Sequence, residues 1–305
     1  MAQVVLEDES LRDGLQFEKI VLPLEQKLEL FRLLTEAGVK RIQLGSFVHP
    51  KIVPQMADTD AFVRQVRQSH PDILLTGLVL NDKGLERAMG CGLRHVSLSV
   101  SVSESHSLKN VRRSAREALD SMVELIKLAI SSGMQVRAGA QCAFGCVYEG
   151  AVAEDKVVDT ACRLAAAGAS ELNLADTTGM ANPVQVKRLL AKVKNSLPEI
   201  ALSLHLHDTR GLGLANMTAG YEAGVAIFDV AAGGLGGCPF VKGASGNVPA
   251  EDAVNLFQQM GVDTGIDLEA LCKVVDKYES LLGRSLPGRM NRVIKSLTAC
   301  RNTTE

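Results

Sequence analysis

The strongest constraint on this chain is a repeated alternation. Eight short apolar or alternating runs recur along it, each followed by a segment with helical periodicity. The predicted strands are 4–9, 41–45, 73–80, 95–100, 135–140, 171–175, 201–207 and 227–231. The predicted helices are 25–37, 58–68, 83–89, 114–131, 155–166, 183–195, 212–223 and 250–260. Many of these helices end beside a glycine (Gly38, Gly92, Gly133, Gly168, Gly224, Gly261), the residue that closes a helix in the left-handed conformation before a strand begins. Eight strand–helix units in about 260 residues predict a closed (β/α)8 barrel of the TIM type. An open doubly wound sheet is the alternative, but no G-x-G-x-x-G follows the first strand. A further helix at 268–282 and a loose polar tail complete the reading of 1–305 as one catalytic domain, with the barrel at 4–262 and the helix and tail at 263–305.

Composition narrows the function classes. Hydrophobic residues at 46% and charged residues at 22% exclude a disordered chain. A net charge of -2 gives no electrostatic footprint for nucleic acid, and the absence of Trp argues against a base-stacking platform. The seven cysteines (Cys91, Cys142, Cys146, Cys162, Cys238, Cys272, Cys300) are odd in number and irregularly spaced, which fits reduced thiols better than a disulfide framework. Glu7, Asp8, Glu9 and Arg12 argue against a signal peptide, and no apolar run approaches a membrane span. The expectation is a soluble, cytoplasmic protein.

Strand side chains alternate faces with period 2. Leu202, Leu204 and Leu206 suit the layer under the helices, so Ser203, His205 and His207 point into the barrel. They lie near a strand's C-terminal end, where barrel enzymes keep their sites. Two imidazoles at i and i+2 can reach one ion, or can be a hydrogen-bonded core pair; the Asp-Thr that follows favours the metal. The same test turns Gln43, Ser97, Ser99, Arg137 and Asn173 inward, with Asp176 at its strand's exit. The first strand exits through Glu9-Ser10-Leu11-Arg12-Asp13-Gly14, where Arg12 and Asp13 are either a surface ion pair or a clamp beside a metal carboxylate. After the last strand runs a glycine-rich segment, 233–247, carrying Cys238. It is either a flexible loop or a lid that delivers one thiol.

Six segments together resemble the 3-hydroxy-3-methylglutaryl-CoA lyase family, within the wider metal-dependent lyase and aldolase barrels. They are S-L-R-D-G-L-Q (10–16), S-F-V-H-P-K-I-V-P-Q-M (46–56), C-A-F-G-C-V-Y-E-G (142–150), D-T-T-G (176–179), H-L-H-D-T-R-G (205–211) and G-L-G-G-C-P-F-V-K-G-A-S-G-N (234–247). The resemblance implies a Mg²⁺ or Mn²⁺ ion held by Asp13, His205, His207 and Asn247; one carboxylate, one amide oxygen and two imidazoles, with room for water and substrate, suit these ions better than tetrahedral zinc. It further implies Arg12 on the thioester or carbonyl oxygen, Cys238 as general acid, and Asp176 near the reacting hydroxyl. Arg137, Arg12 and Gln16 are the expected substrate-binding residues. The implied activity is carbon–carbon cleavage of 3-hydroxy-3-methylglutaryl-CoA, or a related 3-hydroxyacyl-CoA, to acetyl-CoA and a keto acid. An acyl-CoA is thus the expected partner, with no nucleic acid or membrane, and a homodimer the expected assembly.

Two positions depart from the family's pattern. Gln43 stands where a Glu is expected, and an amide can neither take a proton nor carry charge. Proton removal then falls to His205, Asp176 or hydroxide on the metal. Arg210 stands where a Tyr is often found, and either meets an extra anionic group or lies on the surface. The loss at position 43 keeps two alternatives open, a non-catalytic binder of metal and acyl-CoA and a condensing enzyme of the isopropylmalate synthase kind. Asp208 and the short C-terminal region weigh against the second.

Overall fold

The computed structural model describes residues 3–237 and 246–302. Eight parallel strands close into a barrel in chain order. They are β1 (Val5–Asp8), β2 (Arg41–Ser46), β3 (Leu74–Val79), β4 (His95–Ser101), β5 (Gln135–Gln141), β6 (Glu171–Ala175), β7 (Ala201–His205) and β8 (Ile227–Val230). The sheath around them comprises α1 (Leu24–Glu36), α2 (Thr59–Val66), α3 (Asp82–Gly90), α4 (Glu104–Val111), α5 (Ala115–Ser131), α6 (Glu154–Ala166), α7 (Pro183–Ser196), α8 (Gly213–Glu222) and α9 (Ala250–Gln259). Beyond the barrel come α10 (Leu268–Leu282) and α11 (Met290–Asn302). Among the described residues no helix is long and apolar enough to cross a membrane.

The alternation separates two environments. Outward Ile42, Leu44, Val96, Leu98, Val136, Leu172 and Leu204 join Leu30, Phe62, Leu85, Leu164 and Leu189 of the helices in one continuous apolar layer. Each such side chain contributes about 1.5–3 kcal/mol on leaving water. Close approach needs small residues in places: a Cβ on Gly220 of α8 would come within 2.4 Å of Leu204 Cδ1. The barrel interior, by contrast, is ionic at its floor. Arg137, 1% exposed, pairs with Asp229, with Glu7 at 2.7 Å and with Glu171 at 3.2 Å. Arg41 bridges Glu7 and Glu171 from the other side.

The structure differs from the sequence reading at three places. The tail expected to be loose contains α11, whose first turn is capped from a distance: Asp252 of α9 accepts from the amides of Arg289 at 2.9 Å and Met290 at 2.7 Å. No local capping residue announces that helix. The second difference is α4, whose Leu108 and Val111 are exposed, so it lacks the apolar stripe by which helices are recognised. The third is β7, which ends at His205 rather than at 207. There the chain leaves the sheet, and His207 forms an antiparallel bridge with Asn247 while Asp208 N donates to Gly246 O at 2.7 Å.

Candidate active site

The strand ends carry the site. At the exit of β1 the chain turns tightly through Ser10–Gly14. Asp8 fastens this turn by accepting from Ser10 N at 3.0 Å and Ser10 Oγ at 2.9 Å, and Ser10 Oγ in turn accepts from Ala232 N at 2.7 Å beyond β8. The turn sends Arg12 and Asp13 into a cavity of about 1120 Å³ at the barrel mouth, lined also by Glu9, Gln16, His205 and His207. Three Arg12 nitrogens are engaged: Nε donates to Gln43 Oε1, Nη1 to Asp13 Oδ1 at 2.5 Å, and Nη2 to Glu9 Oε2 at 2.5 Å. A guanidinium has five N–H donors, so two remain for a ligand.

Asp13, His205 and His207 each offer a donor atom within 4.8 Å of the others. The two imidazole Nε2 atoms face each other at 3.0 Å. A single shared proton makes one hydrogen bond of that pair, while His207 Nδ1 is buried without a partner. Asn247 Nδ2 donates to Asp13 Oδ2 at 2.8 Å and to Leu235 O at 3.0 Å, which leaves its buried Oδ1 without a partner. This donor set fits a divalent cation. Gly236 makes the approach possible, because a Cβ there would lie 2.7 Å from Asn247 Nδ2, and its φ of +110° is one that other residues rarely adopt.

Charge reinforces the fit. Burial, then the charge of His205, pushes His207 down to about 3, so it presents a neutral, lone-pair-bearing ring. Burial would also depress His205, but its hydrogen bond to Asp229 (Nδ1 to Oδ2, 3.1 Å) and the nearby Asp13 and Glu9 outweigh that and raise it. Burial would raise Asp13; Arg12 and both histidines overcome it and hold the carboxylate ionised. A carboxylate behind a ligating imidazole is the usual means of orienting it.

Other expected residues lie as follows. Gln16 Nε2 donates to Asp13 Oδ1 at 2.8 Å. Gln43 is fully buried, with Oε1 on Arg12 and Nε2 unpartnered. Asp176 follows β6; its Oδ1 accepts from Met180 N at 2.7 Å and Ala181 N at 3.1 Å, while Oδ2 is buried without a partner. Burial lifts the Asp176 carboxyl to about 6. Neither Gln43 nor Asp176 is among the residues lining the cavity, whereas Ser97, Ser99 and Asn173 are. Arg137 reaches the cavity floor, but its charge is already matched by the carboxylates around it. Arg210 is exposed. Cys238 lies outside the described residues.

Two residues that the sequence reading did not single out stand in the cluster. Glu9 and Asp229 form, with His205, a second group whose donor atoms lie within 4.8 Å of one another. The signal was present: Phe228 and Val230 flank Asp229 as outward residues, and Glu9 shares a face with the buried Glu7. Burial pushes the Glu9 carboxyl up to about 8 against the pull of Arg12, with Asp229 and Glu7 adding to the rise. A cation nearby acts in the opposite direction.

A closed parallel barrel with cation-sized donors where its strands end defines a class, the barrel enzymes that work at the C-terminal mouth. The family model described as HMGL-like matches residues 3–277, and the chain belongs to that family, an enzyme family of carbon–carbon lyases. It is 40% identical over 304 aligned positions to (R)-citramalyl-CoA lyase of Chloroflexus aurantiacus, covering 96% of this chain and 95% of that one. The Bacillus subtilis HMG-CoA lyase crystal structure superposes with a TM-score of 0.93 at 36% identity, covering 97% of this chain and 99% of that one. An Acinetobacter baumannii HMG-CoA lyase solved with coenzyme A and 3-methylmalate gives 0.89 at 39% identity, covering 95% and 94%.

Proposed function

We propose that this protein is a divalent-metal-dependent lyase that cleaves a 3-hydroxyacyl-CoA, 3-hydroxy-3-methylglutaryl-CoA or citramalyl-CoA, to acetyl-CoA and a keto acid. The observation that carries the reading is the Asp13–His205–His207 cluster with Arg12 beside it at the cavity mouth. The names of relatives similar over nearly the whole chain support the choice of thioesters. In this reading Asp13, His205, His207 and Asn247 hold Mg²⁺ or Mn²⁺, with Gln16 steadying Asp13. When bound, the ion lowers the pKa of the substrate hydroxyl.

The chain's own groups do the rest. Asp229 fixes the His205 ring, so His205 Nε2 faces the site. His205, which lines the cavity, is the proposed acceptor of the hydroxyl proton, and Asp176, outside the lining with one unpartnered buried oxygen, acts on it only through His205. As the carbon–carbon bond breaks, the electron pair moves onto the thioester oxygen. The two free N–H groups of Arg12 meet that oxygen, and stabilisation of this kind contributes about 3–4 kcal/mol. Cys238 then delivers a proton to the carbon. Ser97, Ser99 and Asn173 offer neutral hydrogen bonds to the acyl group. A cytoplasmic homodimer completes the proposal.

The test is cleavage of a panel of 3-hydroxyacyl-CoA thioesters, including both candidates, with Mg²⁺ or Mn²⁺ added or chelated. Metal-dependent release of acetyl-CoA from at least one is the expected result. Tight thioester binding with no cleavage anywhere on the panel would favour the non-catalytic reading that Gln43 raises.

A further inference from the structure

We propose that Glu9, at the exit of β1, is the positioning carboxyl group for Arg12, holding Nη2 with an acidic side chain where β2 offers only the amide of Gln43. Arg12 is held on three sides, by Asp13, Glu9 and Gln43. Asp13 is committed elsewhere, since Gln16 and Asn247 donate to it and it faces both histidines. Gln43 is neutral, fully buried and outside the cavity lining. Glu9 is the remaining acidic partner of the guanidinium, 1% exposed yet bordering the cavity. Its ion pair with Arg12 Nη2, at 2.5 Å, lies beside the amide contact on Nε, so one edge of the planar fork is gripped by Glu9 and Gln43 together. With the metal ligands on one side and Glu9 on the other, the two free N–H groups of Arg12 are aimed at the cavity. Its place comes from the alternation of the short β1 strand, which turns Glu7 to the floor and Glu9, two residues on, to the mouth.

Because Glu9 and Gln43 touch neighbouring nitrogens of one guanidinium, the carboxyl group can be exchanged between them. The inference rests on the lyase reading above, and the experiment separates their failures. Three variants are compared with the starting protein: Glu9→Gln, Gln43→Glu, and the exchange Glu9→Gln with Gln43→Glu. Readouts are kcat and KM on the cleaved thioester, Mn²⁺ affinity by titration calorimetry, and thermal stability. Glu9→Gln is expected to lower kcat on the order of 10- to 100-fold, the scale of a misplaced reacting group, with KM and Mn²⁺ affinity nearly unchanged. The exchange is expected to recover most of the loss, which a merely structural role for Glu9 would not produce. Gln43→Glu alone crowds three carboxylates onto one cation and is expected to gain no rate. An unchanged kcat in Glu9→Gln, or an exchange no better than that single variant, overturns the proposal. So does loss of Mn²⁺ affinity in Glu9→Gln, which makes Glu9 a ligand instead. If the starting protein cleaves no thioester, the lyase reading falls, and crystal structures decide the Glu9 question. Arg12 displaced in Glu9→Gln and returned in the exchange supports it; Arg12 undisturbed in Glu9→Gln overturns it.

Discussion

The floor of the barrel and its mouth are built from the same residue types and behave as opposites. At the floor, Arg137 and Arg41 share Glu7, Glu171 and Asp229, and each charge faces one of opposite sign. At the mouth, Asp13, His205, His207 and Asn247 converge, yet two ring nitrogens confront each other and an amide oxygen has no partner. Burial and charge alone therefore do not mark a functional site here. What marks it is the convergence of ligand-type atoms from Asp13, His205 and His207 within 4.8 Å of one another, with the unpartnered Asn247 Oδ1 beside them.

The floor is expected to answer a broken pair with lost stability. Arg137→Met leaves several buried carboxylates without their cation, and should destabilise the fold by about 3–5 kcal/mol or prevent folding; denaturant unfolding measures it. His207→Ala at the mouth should cost far less and abolish stabilisation by added Mn²⁺, since functional groups are often held against the interest of stability. Equal losses in the two variants would erase the distinction.

The thiols differ in burial. Cys142 and Cys146 are buried in the turn that follows β5, and burial pushes the Cys142 thiol up to about 12, so it is a poor proton donor. Cys238→Ser is expected to lower turnover by about 100-fold, within the range for a lost general acid. Serine at Cys142, Cys146 or Cys300 should do far less in steady-state kinetics. Similar effects at all four would remove the special role of Cys238.

A smaller effect belongs to the floor. Burial, ahead of the opposing charges of Glu7 and Arg41, pushes His95 down to about 4. Its folded pKa thus lies below the unfolded value near 6.5, and the fold favours the neutral ring. The linked stability is present above the unfolded pKa and is lost as pH falls toward 4. Between pH 7 and pH 5 the loss is about 2 kcal/mol. Replacing His95 with Asn should flatten this part of the pH–stability curve; an unchanged slope would show that His95 is not the titrating group.

The barrel was legible because eight apolar runs with period 2 alternate with helical stretches, a pattern imposed by burial on one face. The mouth was partly legible for the same reason: Leu202, Leu204 and Leu206 turn His205 and His207 together. Glu9 and Asp229 stayed hidden because β1 and β8 have only four residues each, too few for a period of 2 to stand out, and Glu9 lies just past the end of its strand. The α11 helix was hidden for a different reason. Its cap, Asp252, is supplied by tertiary contact from far along the chain, and no local pattern reports such a partner. Nor could spacing show that His207 leaves the strand to meet Asn247, a pairing between a strand exit and the segment that follows the glycine-rich stretch.

The central claim is that the donor atoms converging at the mouth belong to one divalent cation. Anomalous diffraction from crystals soaked in Mn²⁺ tests it most directly. The account predicts one strong peak within bonding reach of Asp13 and of the Nε2 atoms of His205 and His207, and none among the paired charges around Arg137. A map with no peak touching both imidazoles, under conditions where Mn²⁺ supports cleavage, would contradict it.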